Sequence, residues 1–246
     1  MNKVIETLMN HRSIRSYKST PVSKEDLDLI IKSSQAAPSS IHGQQVTIIS
    51  VRDEEKKKKL GELVGNQDYV SHAPLFLVYC ADFYRAKIAG DIIGEEMVLA
   101  GTEEGKLVGA VDVGLALGNG IAAAESLGLG IVPIGGIRKE AEAVAELLGL
   151  PKYVFPMVGL VVGYPEDYSH LKPRFPEEVV HHKEKYNMDL KEKIQKYDIE
   201  LKNHMMEVTD GKYDQNWSQT IGGAYKSLYY PKVKSALEKQ GFPVEK

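Results

Sequence analysis

The sequence predicts a mixed α+β fold with a helical excursion at its C-terminal end. Three features carry this expectation. Helical periodicity comes first along the chain, over residues 2–10 and again from Pro21. Four short apolar runs then interleave with further helices, without strict βαβ alternation. Beyond Gly163 the pattern gives way to a proline-broken arm and more helices. At about 150 residues per domain, 246 residues amount to roughly one and a half, so one large domain or two small ones. We expect residues 1–163 to form the core, with 164–246 an arm and helical excursion completing the same domain.

The elements follow from local pattern. Val4, Ile5, Leu8 and Met9 share one helical face. Ser23-Lys24-Glu25-Asp26 resembles a capping arrangement opening a helix with Leu27, Ile30 and Ile31 as its stripe, ending near Pro38. Val46–Val51 is β-branched and reads as a strand. Asp53–Val64 is a charged helix with Leu60 and Leu63 on one side and the Lys56–Lys59 run facing solvent. Leu75–Cys80 is a buried strand. Lys106–Leu127 is a long helix, apolar nearly all round, and such a helix is expected to be buried on all sides. Its glycines, at 109, 114, 118 and 120, cost helix propensity, which close helix–helix approach would explain. Gly130–Ile134 and Val154–Val162 are strands flanking a helix over Arg138–Leu148. Pro165, Pro173 and Pro176 prevent a continuous helix over Tyr164–Tyr186. Met188–Val208 and Pro231–Lys239 return to helix around a polar loop at Thr209–Asn216.

Composition narrows the function. Hydrophobic residues make up 43% and charged residues 26%, the balance of a globular protein rather than a disordered or fibrous one. Against 34 acidic residues stand 31 basic ones, a net charge of −3, so there is no basic surplus for binding nucleic acid. Cys80 is the single cysteine, which excludes an intrachain disulfide and a cysteine zinc cluster, and its apolar flanks point to an inert core thiol. With neither a signal-peptide pattern nor a long uncharged apolar run, a soluble cytoplasmic protein with no membrane partner is expected.

Some motifs are set aside on their context. Gly118-Asn119-Gly120-Ile121-Ala122-Ala123 matches a dinucleotide fingerprint but lies inside a helix, where its N–H groups are already bonded. Ser126 resembles a nucleophile elbow but sits at a helix end rather than on a strand-to-helix turn. His181-His182 lacks a third metal ligand at suitable spacing. The cluster His11-Arg12-Ser13-Ile14-Arg15 is different. It packs two guanidinium groups, a hydroxyl and an imidazole into five residues, which suits a phosphate or a planar anion. Alone it fits ordinary surface charge as well. Lys172-Pro173-Arg174 is a second cationic cluster on an irregular segment, and the pair fits a shared anionic ligand better. Ala37-Pro38-Ser39-Ser40 is a small hydroxyl-rich loop, and Pro133-Ile134-Gly135-Gly136 presents backbone N–H groups with little side chain to obstruct a flat ligand.

In these and further stretches the chain resembles the FMN-dependent nitroreductases of the nitroreductase A / flavin reductase P branch. The matching segments are His11–Tyr17, Gly65-Asn66-Gln67, Cys80-Ala81-Asp82, Ala122–Gly130, Ile134–Arg138, Leu171–Arg174 and Trp217-Ser218, in the right order over nearly the whole chain. The resemblance implies a homodimer with a nitroreductase-like α/β sandwich, a mixed but mainly antiparallel sheet, and FMN at the subunit interface. The long glycine-dotted helix would then be a central dimer helix. His11, Arg12 and Ser13 would hold the FMN phosphate, with Lys172 and Arg174 adding charge. Arg15 would lie at the pyrimidine edge of the flavin, Ser39 and Gln67 at ribityl or ring polar atoms, and Ile134, Gly135 and Gly136 near the flavin N5. NADPH or NADH would deliver hydride and leave before a nitroaromatic, a quinone or free flavin takes the electrons. The flavin carries that chemistry, so no catalytic side chain is named.

The chain departs from the branch in places. Ala37–Gly43 replaces a serine-rich stretch, and Pro133 stands where an apolar or aromatic residue is common. Members that prefer NADPH carry arginines at places matching Val208 and Tyr213, whereas only Lys212 is basic here. A weakened NADPH preference is expected. Two other functions compete with the enzyme: a flavin carrier or sensor without turnover, and a nonenzymatic homodimer binding an anionic ligand.

Overall fold

The computed structural model describes residues 1–242. The elements run α1 (Lys3–Met9), α2 (Lys24–Gln35), β1 (Val46–Val51), α3 (Glu54–Leu63), α4 (Asp68–Ser71), β2 (Leu75–Asp82), α5 (Tyr84–Ile93) and α6 (Glu103–Ser126). They continue with β3 (Gly130–Ile134), α7 (Ala141–Leu148), β4 (Val154–Gly163), α8 (Glu177–Val180), α9 (Lys191–Val208), α10 (Trp217–Tyr225) and α11 (Val233–Lys239). The chain divides into two compact units. One comprises Met1–Ser169 and the segment from Tyr230 onward; the other is His170–Tyr229.

In the first unit, four strands form one sheet in the order β1-β2-β4-β3, each neighbouring pair antiparallel. The parallel component is an isolated bridge between Ser13 and Ile131. Alternate residues of a strand face opposite sides, and β2 uses both. Phe76, Val78 and Cys80 join Leu60, Val64, Ile137 and Val144 on the side of α3 and α7. Leu75, Leu77, Tyr79 and Ala81 join Ile30, Val113, Ala116 and Ala124 on the side of α2 and α6. A strand covered on both faces reads as a continuous apolar run, which is why β2 is legible in sequence.

Local chemistry sets the element ends. Ser23 caps α2 by accepting the Asp26 N–H, Asp53 caps α3 by accepting that of Lys56, and Thr102 caps α6 by accepting that of Gly105. The Thr102 cap starts α6 before Lys106. The helix expected from Arg138 begins at Ala141, because Gly135–Arg138 forms a 3-10 turn. In β4, Val158 pairs with Tyr79 and Pro156 with Cys80, so Met157 is an unpaired bulge.

The expectation that α6 is buried on all sides does not hold within one chain. Asp112, Val113, Ala116, Gly120 and Ala124 are buried, whereas Leu107 (62% exposed), Val111 (59%) and Leu115 (41%) face outward. The glycines divide in the same way. A Cβ at Gly109 would meet Ala81 and Phe83, and one at Gly120 would clash with the hydroxyls of Tyr79 and Ser34. A Cβ at Gly114 or Gly118 would meet nothing within 4 Å outside the helix's own backbone. By length and composition α6 would pass as a membrane span. Its buried Asp112 accepts the Ser40 N–H at 3.2 Å, and its inner face lies on β2 and α2.

The second unit holds α8, α9 and α10. Phe175 packs its ring on Tyr197 and edge-on to Trp217, and the Asp198 carboxylate accepts the Ser218 N–H at 2.9 Å. The short helix α8 interrupts the otherwise extended segment expected over Tyr164–Tyr186.

Candidate functional site

The chain leaves α1 and runs extended beside β3. The Ile14 N–H donates to the Ile131 carbonyl at 2.9 Å, and the Ile14 side chain is buried. Gly130 makes room for it, since a Cβ there would lie 2.7 Å from the Ile14 side chain. The hydroxyl of Ser169 donates to the Ser13 carbonyl at 2.8 Å, and that of Tyr17 to the Ile14 carbonyl at 2.5 Å. Burial pushes the Tyr17 phenol well above its ordinary range, with Arg15 pulling weakly the other way.

These anchors fix the cationic cluster. His11 is half-buried, and its Nδ1 lies 2.6 Å from the Oε1 of Glu125 in the last turn of α6. The Arg12 guanidinium lies over the Tyr168 ring, 5.9 Å from its centroid. Arg15 is exposed. Arg12, Glu125, Tyr168 and Lys3 line a cavity of about 450 Å³ at the start of β3.

At the other end of β3, Ile134 is buried and pairs with Gly159. The chain then turns through Gly135 and Gly136. A Cβ on Gly136 would lie 2.4 Å from the Val64 carbonyl oxygen, so the turn is seated directly on the end of α3. A Cβ on Gly135 would meet only Arg138 Nη2, at 3.5 Å. The Val64 carbonyl also accepts from the Gln67 side-chain amide at 3.3 Å, and the Gln67 Oε1 accepts from the Tyr69 hydroxyl at 2.6 Å. Gly136 and Gln67 therefore meet over one carbonyl. From Ile131 to Ile134 a strand advances about 10 Å, which separates the cationic cluster from the glycine turn.

Ser39 lies elsewhere. Its Oγ accepts the Gln44 N–H at 3.1 Å in the segment that leads into β1, at the opposite edge of the sheet from β3. Three strand spacings, about 14 Å, separate those edges. Ile41, His42 and Gln44 all hold positive φ there, a costly conformation for residues with a Cβ and above all for β-branched Ile41. Asp112 holds the segment through Ser40, and Arg85 through the carbonyls of Gln44 (2.7 Å) and Val46 (2.8 Å). Ser39, Arg85 and Asp112 line a cavity of about 830 Å³. Lys172 and Arg174 belong to the second unit, both exposed, with the intervening Pro173 carbonyl accepting from the Tyr197 hydroxyl at 2.9 Å.

Local pattern did not mark Glu125 or Tyr168 as partners of the cluster. Each meets it only through long-range folding, and their nearest sequence signals were the end of a long helix and a tyrosine in the arm. Among the described residues, no group of three or more His, Cys, Asp or Glu side chains could hold a metal ion. The Cys80 thiol is buried, and burial pushes it up to about 12, in keeping with an inert core residue.

Residues 8–164 match the model of the nitroreductase family, and residues 172–245 that of the nitroreductase family C-terminal domain. The chain is 55% identical over 249 residues to the FMN reductase (NAD(P)H) of Bacillus subtilis (strain 168), covering 100% of both chains. The solved structure of B. megaterium NfrA2 superposes with a TM-score of 0.98 at 57% identity, with 100% of both chains covered. The NADPH:FMN oxidoreductase from Vibrio harveyi complexed with NAD+ superposes with a TM-score of 0.89 at 37% identity, covering 99% of this chain and 100% of the other. Matched by the family model over more than half its length and by full-length relatives, the chain belongs to the nitroreductase family.

Proposed function

We propose that the protein is an FMN-dependent NAD(P)H oxidoreductase that reduces nitroaromatics, quinones or free flavin in two-electron steps. The single observation that carries this is the pairing, at the two ends of β3, of a cationic cluster with a glycine turn lacking side chains. The donor set fits FMN. His11, Arg12 and Ser13 offer the cation and hydroxyl chemistry that a phosphate needs, and Lys172 and Arg174 would add charge. The span along β3 suits a ribityl chain, and Gly135 presents backbone without a Cβ where a flat ring would rest. When bound, FMN supplies the hydride chemistry between a nicotinamide and an acceptor.

The chain's own residues would bind and orient. Arg15 would set a permanent cation at the ring edge, where it opposes the charge that builds up on reduction. Ile134, Gly135 and Gly136 would bring backbone to the ring near N5, with Gln67 held against the same turn. Ser39 lies at the far edge of the sheet from β3, so its contact with the same flavin calls for a second protomer. The exposed face of α6, with Leu107, Val111 and Leu115 beside the open Gly114 and Gly118, supports a homodimer closed through that helix. A soluble, cytoplasmic enzyme without nucleic-acid or membrane partners is in keeping with its balanced charge.

The test is the absorption spectrum of protein reconstituted with FMN, followed anaerobically with NADPH or NADH. Bleaching by either donor is expected. A flavin spectrum that persists with both would favour a carrier or sensor, and absence of flavin binding would overturn the proposal.

A further inference from the structure

Arg138 follows the glycine turn and is absent from the set of groups expected to touch FMN, yet it is held at two points and lies beside the turn. Its Nη1 donates to the Met157 carbonyl at 2.5 Å. Met157 is the bulged residue of β4, so the bulge frees a carbonyl from the ladder and the guanidinium occupies it. The guanidinium lies over the Tyr230 ring, 5.8 Å from its centroid, where the chain returns to the first unit. Its Nη2 lies beside the turn, 3.5 Å from the position a Gly135 Cβ would take. Gly136 is meanwhile pressed against the Val64 carbonyl. The turn thus lies between the end of α3 and this one side chain.

We propose that Arg138 is a positioning residue that fixes the Gly135–Gly136 turn in the geometry that receives the flavin ring. A planar fork that bonds one carbonyl and stacks on one ring is not replaced by a flexible ammonium or an apolar chain. Removing it frees the Met157 carbonyl and lets the turn relax, and sites of this kind lose function when the supporting side chains are loosened. The inference rests on FMN lying against this turn, as proposed above. It makes a distinctive demand: the loss must fall on the ring end of the ligand, not on the phosphate end.

The experiment compares wild type, Arg138→Met and Arg138→Lys. It measures affinity for FMN and for riboflavin, the midpoint potential of bound FMN, and Tm. In Arg138→Met both affinities should fall together, by about tenfold, with a shift in potential, because both ligands share the ring. Arg138→Lys should show a smaller loss in the same direction. If Arg138→Met does not fold, Arg138→Lys alone decides. Wild-type affinity and potential in the folded variant, or a loss confined to FMN, would overturn the inference while leaving the flavin site standing. Wild-type protein that binds neither flavin would overturn both.

Discussion

His11 and Glu125 stand 114 residues apart in the chain, and their Nδ1 and Oε1 atoms lie 2.6 Å apart in the fold. Glu125 projects from the last turn of α6, while His11 leads into the segment beside β3, so the contact ties the long helix to the edge of the sheet. The second carboxylate oxygen of Glu125 is buried with no hydrogen-bond partner. Such a group is retained at a cost in desolvation. The other oxygen, Oε1, holds the imidazole ring.

Glu125→Ala should therefore weaken FMN binding without weakening riboflavin binding, since His11 is assigned to the phosphate. Loss of one such bond costs about 1 kcal/mol, roughly a fivefold rise in Kd. Fluorescence titration with the two flavins reads this directly. An equal loss for both ligands would remove His11 from the phosphate end.

The two glycines of the turn separate a structural demand from a ligand demand. Gly136→Ala drives a Cβ into the Val64 carbonyl and should cost about 1–3 kcal/mol of stability, seen as a lower Tm. Gly135→Ala places its methyl 3.5 Å from Arg138 Nη2, an ordinary contact, so Tm should stay close to wild type while flavin affinity falls. A Gly135→Ala protein that binds FMN as wild type does would move the ring away from this turn.

Coenzyme choice should be relaxed. Val208 ends α9, and the Tyr213 hydroxyl pairs with Thr220 at 3.1 Å, so neither position offers a cation to a 2′-phosphate. Glu207, Asp210 and Asp214 flank Lys212 and leave the segment acidic. The kcat/KM values for NADPH and NADH should agree within about tenfold, and Tyr213→Arg should raise the NADPH value. A wild-type preference above about 100-fold, or ~2.7 kcal/mol, would mean that another basic group serves the phosphate.

The Cys80 thiol should resist iodoacetamide in native protein at pH 8 and react on unfolding, because burial raises it to about 12 from an ordinary value of 9.0. The sign for stability follows. The folded state holds the thiol proton more tightly than the unfolded one, so this contribution is intact below about pH 9 and declines as pH rises from there toward 12. Alkylation of the native protein at the unfolded rate would show that the strand opens to solvent.

Much of this protein was legible in its residues. β1 and β3 fall where their β-branched and apolar runs end, α2 starts at the Ser23 cap, and β2 is recognisable as a strand covered on both faces. The cationic segment at 11–15 and the glycine pair at 135–136 were legible as candidate binding chemistry because charge, hydroxyls and missing side chains are properties of the residues themselves. Helix α5 is not legible from periodicity because it buries no residue and so carries no clear apolar stripe; its boundaries rest on Asp82, which accepts the Tyr84 N–H, and on Gly94 in the left-handed conformation.

Tertiary structure decided the rest. Periodicity reports which residues share a face but not what covers it, so the apolar girdle of α6 resolves into a face on the sheet and another left open within the chain. It also decided that Ile131 and Ile134 would hold the two candidate ends of the site a few residues apart, and that Arg138 would fill a carbonyl freed by a bulge in β4. The physical reason is one of range. Caps, turns and strand runs are fixed by neighbours within a few residues, whereas the pairings of His11 with Glu125 and of Gly136 with Val64 exist only once the sheet has closed between them.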